Sequence, residues 1–91
     1  MANNEVFDIF FREKPAMMLI HLKNAKDTTY ASSLAKQVDC TYSHVVKILQ
    51  KMQYLGLVLF EKQGRLKLLK LTKKGRDVAE AMDTARNLLL N

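Results

Sequence analysis

The chain has 91 residues, 48% of them hydrophobic, with three glycines, one proline and no tryptophan; this excludes a disordered chain and leaves room for one core, not two. A single cysteine, Cys40, excludes an internal disulfide and a cysteine-rich zinc site, and suits a reducing cytoplasm. The net charge of +6 is unevenly placed: residues 31–76 carry ten Lys or Arg against Asp39 and Glu61, a balance of +8, and the remainder carries five basic and seven acidic residues, a balance of −2.

The predicted elements begin with a helix over residues 3–13, capped by Asn3 or Asn4, with Val6, Phe7, Phe10 and Phe11 at helical spacing. Pro15 suits the first turn of a second helix, where its missing N–H costs nothing. Residues 16–22 are apolar almost all round, which predicts a helix buried on most sides and makes His21 a core residue before it is a ligand. A polar connection follows over residues 24–28, and Thr29 and Tyr30 can pair as a short edge strand.

Two helices come next, over residues 31–38 and 42–54. Leu34, Ala35 and Val38 share one face of the first, and Val45, Ile48, Leu49 and Met52 share one face of the second. Asp39, Cys40 and Thr41 break the pattern between them, Cys40 at the apolar position of the turn and Thr41 placed to cap the second helix through its hydroxyl. That is the pattern of a helix-turn-helix, whose second helix can lie in a DNA major groove.

Gly56 ends the second helix, and the period then changes. Residues 57–62 and 66–72 are β-type runs around Gln63, Gly64 and Arg65, which predicts a hairpin. Leu69 and Leu71 are expected to face the core, with Leu66 and Leu68 on the other face. The last element is a long helix from Thr72 to about Leu89, with a predicted body over residues 73–90. Val78, Ala81, Met82, Ala85, Leu88 and Leu89 are its apolar positions, and Asp77, Glu80 and Asp83 line its polar side. The expected fold class is mostly α with a small β-hairpin, in a single domain over residues 1–91.

The order of these elements resembles a winged helix-turn-helix with extra N- and C-terminal helices. Leu55-Gly56-Leu57-Val58 after the second motif helix, paired with Leu71-Thr72-Lys73-Lys74-Gly75-Arg76, is similar to the MarR/PadR-type transcriptional regulators and to the small winged-helix proteins of archaea and their viruses. The resemblance covers roughly residues 17–85. It implies that residues 42–54 form the recognition helix and that Lys62, Gln63, Gly64 and Arg65 form a short wing. Thr41, Tyr42 and Ser43 then stand at the end of the helix that meets bases and phosphates, with His44 beside them. Val46, Lys47 and Gln50 continue its outward face, and Lys51 reaches the backbone. The turn departs from the usual pattern by carrying Asp39 in place of glycine, a residue that tolerates left-handed geometry better than most.

The positive charge falls on the segment that contains this motif, which favours a polyanion. Phosphate contacts are expected from Lys36, Lys47, Lys51, Lys62, Arg65 and Lys67. Lys47 and Gln50 carry donors that can read guanine and adenine edges. The C-terminal helix places Val78, Met82, Ala85 and Leu89 at alternating steps of four and three, the seam of a helix pair, with Leu88 beside it. At about 27 Å it should outrun a small domain. Together with Phe7, Phe10 and Phe11 of the first helix, this seam predicts a homodimer.

No nucleophile elbow, phosphate-cradling glycine loop or paired catalytic carboxylates occur, so an enzyme is not expected. Two distant histidines and one cysteine make no metal cluster, and no cofactor is expected. The longest apolar runs fall far short of the ~20 residues that span a bilayer, and Met1 to Glu5 do not read as a secretory signal; a cytoplasmic protein without a membrane partner is expected. No convergent polar pocket marks an effector site. The expectation is a homodimeric, sequence-specific regulator that binds double-stranded DNA; the alternative is a winged-helix protein–protein interaction module in a nucleic-acid-associated complex.

Overall fold

The computed structural model describes residues 12–25 and 29–91, with Gln63 described by its backbone alone. Among the described residues, four helices and three strands follow in chain order: α1 (Glu13–Asn24), β1 (Thr29–Tyr30), α2 (Ala31–Gln37), α3 (Tyr42–Tyr54), β2 (Val58–Gln63), β3 (Leu66–Leu71) and α4 (Lys73–Leu90). The helix expected over residues 3–13, with Phe7, Phe10 and Phe11, lies outside the described residues up to Phe11. Arg12 is extended and Glu13 already opens α1, so the expected boundary at residue 13 falls inside the next helix.

Pro15 sits in the first turn of α1, as its missing donor requires. Met18, Leu19 and Leu22 of this helix are buried, while Ile20 and His21 are only half-buried, so α1 has a distinct core face. Tyr30 enters α2 through Ser33: the Tyr30 amide donates to Ser33 Oγ (3.1 Å), whose hydroxyl lies 2.8 Å from the Tyr30 carbonyl.

The turn between α2 and α3 is a Schellman motif. The Cys40 amide donates to the Ala35 carbonyl (2.9 Å) and the Asp39 amide to the Lys36 carbonyl (3.4 Å), with Asp39 left-handed at φ 55°. Cys40 is half-buried against the core, so its thiol packs where the motif needs an apolar side chain. Lys14 of α1 donates its Nζ to the Val38 carbonyl (2.7 Å), satisfying an acceptor at the end of α2 and placing a cation at the negative end of that helix.

α3 ends the same way. The Leu57 amide donates to the Met52 carbonyl (2.8 Å), the Gly56 amide to the Gln53 carbonyl (3.0 Å), and Gly56 takes φ 79°. β2 and β3 then pair from Val58↔Leu71 to Gln63↔Leu66. Gly64 carries positive φ and Arg65 does not, the pattern of a type II′ two-residue turn. β1 adds to the other edge of β3 with Thr29↔Leu69 and Tyr30↔Leu68, giving a three-stranded antiparallel sheet ordered β1-β3-β2. Leu69 is buried in the core and Leu71 is half-buried against it. Leu68, on the opposite face and flanked by Tyr30 and Glu61, is itself only 8% exposed.

The core gathers Met18, Leu19, Leu34, Val38, Val45, Leu49, Met52 and Val58 from α1, α2 with its C-cap, α3 and β2. Its consequence for the exterior is simple. One face of α3 is locked inward, so the opposite face has one orientation.

Candidate nucleic-acid interface

α3 is built to present its outer surface. Thr41 caps it, accepting from the His44 amide (3.3 Å), and leaves other N-terminal amides of the helix at an end that attracts anions. Val45, Ile48, Leu49 and Met52 bury the inner face. Thr41, Tyr42, Ser43, His44, Lys47, Gln50 and Lys51 are all exposed, and Val46 is half-buried among them. The structure thus brings these eight residues onto one continuous surface of a single capped helix.

The remaining candidates surround it unevenly. Lys36 is exposed in the last turn of α2. Lys62 and Arg65 are exposed at the hairpin tip with Gly64 between them in sequence. Lys67 is half-buried, its Nζ 5.7 Å from the centre of the Phe60 ring, a cation–π contact that holds it along the sheet. Glu61 and Lys70 pair across the strands on the other sheet face (3.4 Å), and Leu59 and Leu66 are exposed there.

A groove of about 890 Å³ runs between the start of α1 and the side of α3. Arg12, Glu13, Lys14 and Pro15 line one wall, and Lys47, Gln50, Lys51 and Tyr54 line the other. Sequence reasoning did not find Arg12, Lys14 or Tyr54. Their part in this surface comes from the tertiary fold, in which α1 packs along α4 and its first turn faces α3 across the groove, and no local pattern in the sequence carries that.

The paired motifs at residues 55–58 and 71–76 meet in space. The Thr72 amide donates to the Leu57 carbonyl (3.0 Å), the Thr72 hydroxyl to the Gly56 carbonyl (2.6 Å), and Lys74 Nζ to the Leu55 carbonyl (3.0 Å). Thr72 also caps α4, accepting from the Gly75 amide (2.9 Å). Gly75 is buried against this junction: a Cβ there would fall on the Leu57 carbonyl oxygen. The end of α3, the root of the hairpin and the start of α4 are therefore one hydrogen-bonded unit.

This arrangement of helix-turn-helix, hairpin and closing helix matches a family model described as a winged helix DNA-binding domain, over residues 13–75. The chain belongs to the winged helix DNA-binding domain family. Among solved structures, AF1382 from Archaeoglobus fulgidus superposes on this winged helix with a TM-score of 0.86 at 25% identity, covering 94% of this chain and 98% of that one. MepR of Staphylococcus aureus, a transcription regulator of the multidrug efflux pump MepA, superposes with a TM-score of 0.79 at 22% identity, over 97% of this chain and 65% of its own. MepR in complex with DNA gives 0.77 at 18% identity, over 99% of this chain and 76% of its own. A MarR-family regulator from Rhodococcus sp. RHA1 gives 0.75 at 18%, over 90% of this chain and 59% of its own. The winged-helix fold of the MarR-type proteins is thus confirmed, in a chain shorter than its bacterial structural neighbours.

The C-terminal helix divides in two. Ala79 is buried, and Val78 and Met82 are half-buried against the core of their own chain. From residue 84 to the end every residue is exposed, including Ala85; Leu88, Leu89 and Leu90 are 71%, 87% and 74% exposed. Among the described residues no helix is long and apolar enough to cross a membrane.

Proposed function

We propose that this chain is a homodimeric, sequence-specific regulator that binds double-stranded DNA, with α3 in the major groove and the hairpin tip near the backbone or minor groove. The observation that carries the reading is the outer face of α3. A helix capped by Thr41 and anchored by four buried side chains presents hydroxyls, an amide and two lysines, and it is flanked by a groove whose far wall carries Arg12 and Lys14 beside Glu13. Such a surface suits a strand of phosphates on its flank and base edges at its crest. MepR, which shares the fold, has been solved with DNA bound. The exposed leucines at the end of α4 support a dimer, because three large apolar side chains on the last turns of a helix favour burial against a second copy. Two recognition helices would then meet half-sites about 34 Å apart. The cysteine content and the absence of a spanning helix among the described residues fit a cytoplasmic site of action.

A salt titration of duplex binding tests this reading. Affinity should fall steeply with salt, with a logarithmic slope near −0.9 for each phosphate neutralised. Lys47→Ala should weaken binding by about 1–3 kcal/mol and relax preference at one base position if it reads a base. If Lys47 meets phosphate instead, the loss is uniform over sequences and the salt slope shrinks by about 1. Failure of the wild-type chain to bind any duplex at low salt would overturn the proposal.

A further inference from the structure

α4 is joined to the reading head along only part of its length, and the join ends at one polar cluster. Asp83 uses both carboxylate oxygens there. Oδ2 accepts from Lys23 Nζ in the last turn of α1 (2.9 Å), and Oδ1 accepts from Arg86 on its own helix (2.7 Å). The Asp83 side chain is 14% exposed and that of Lys23 22%, so the pair is partly sheltered from water. The α4 side chains packed on the core, Val78, Ala79 and Met82, precede Asp83, and residues 84–91 are all exposed. Asp83 therefore marks the point at which α4 leaves the domain.

We infer that the Lys23–Asp83 ion pair is a positioning device, which sets the direction of the free end of α4 and through it the half-site spacing that the protein accepts. The inference rests on the homodimer reading above. Apolar contacts such as those of Val78 and Met82 are not directional and permit a helix to roll or tilt. A short charge-assisted hydrogen bond is directional, and this one joins the helix that ends in exposed leucines to the first helix of the reading head. Arg86, three residues away on the same helix, braces the carboxylate without crossing to α1.

Geometry shows why a small tilt matters. Each recognition helix would stand about 17 Å from the two-fold axis, half of the ~34 Å half-site separation. A tilt of about 10° at the dimer seam would move each helix by ~3 Å, close to the rise of one base pair. Loss of the ion pair should therefore blur spacing without altering the surface that touches DNA.

The experiment is selection of bound sequences from a random duplex pool, run with wild type, Lys23→Gln, Asp83→Ala and Arg86→Gln. Thermal melts confirm that each is folded. The wild-type pool should converge on two inverted half-sites at one spacing. Lys23→Gln and Asp83→Ala should recover the same half-site, with neighbouring spacings enriched at least about threefold. Arg86→Gln, which leaves the inter-helix bond in place, should keep the wild-type spacing. If Asp83→Ala does not fold, Lys23→Gln decides, since it leaves every side chain of α4 intact. A wild-type pool without inverted half-sites defeats the homodimer reading itself. A wild-type pool with one sharp spacing that Lys23→Gln reproduces, or that Arg86→Gln blurs equally, overturns the positioning role alone.

Discussion

Asp83 shows how a single residue on a polar helix face can carry a tertiary contact. On sequence grounds it lines the polar side of the last helix with Asp77 and Glu80. Asp77 is ordinary in that sense, pairing with Lys73 one turn away (3.2 Å) at a highly exposed site. Asp83 instead reaches 60 positions back to Lys23. The hydrogen bonds from Lys23 and then Arg86 hold its carboxyl below the usual aspartate range. Because the folded value is depressed, the stabilisation is complete above the unfolded-state value near 3.8 and is lost as pH falls through the folded one. Urea melts of wild type and Asp83→Asn should differ by a constant amount from neutral pH down to about pH 4, and the difference should close below it. A gap that persists unchanged at lower pH would show that the charge of Asp83 is not its source. Asp39 makes the complementary point. Its short side chain was legible as a substitute for glycine, and the structure places it in the left-handed region that the turn demands.

The elements themselves were largely legible, for local physical reasons. Thr41 as a cap, Gly56 as a stop and the alternation around Gly64 all act within a few residues of themselves, and each stands where expected. The start of α1 was less legible, since Arg12 and Glu13 read as the end of one helix and form the approach to another. The junction of elements belongs to the same scale and carries its own prediction. Gly75 lies in the first turn of α4, where glycine is a poor helix former, and it is retained because α4 crosses the Leu57 carbonyl without room for a Cβ. Gly75→Ala should lower stability by about 1–3 kcal/mol in a denaturant melt, although alanine favours the helix. An unchanged or raised midpoint would mean that α4 and the root of β2 are less closely apposed. The pairing of the motifs at residues 55–58 and 71–76, far apart in the chain, is explained by this contact: Thr72 and Lys74 satisfy the carbonyls that the end of α3 exposes.

For the molecule as a whole, the proposed homodimer depends on how the end of α4 would meet a second copy. The expected seam of Val78, Met82, Ala85, Leu88 and Leu89 is split by the structure, with its first two members on the chain's own core and its last three exposed. A substitution confined to the exposed part therefore spares the fold. If the proposed dimer forms through this end, Leu88→Lys with Leu89→Lys should make the protein sediment as a monomer, with an unchanged melting midpoint at low concentration and weaker binding to a two-fold site. A double variant that sediments as the wild type does would place the interface elsewhere.

The sequence by itself determined the helix-turn-helix, its cap and turn, the hairpin and the basic segment, because these depend on periodicity, backbone preference and charge within short stretches of chain. It also reached the outward face of α3, since a helix with one apolar side has only one other side to offer. Only the tertiary structure decided what lies beside that face and behind it. Arg12 and Lys14 face α3 because α1, packed along α4, starts across a groove from it, Gly75 is needed because α4 crosses Leu57, and Asp83 meets Lys23 because two helices 60 positions apart run together. Such contacts form when a shared apolar core draws distant segments into proximity, and the polar groups on their margins then find partners that no local pattern names.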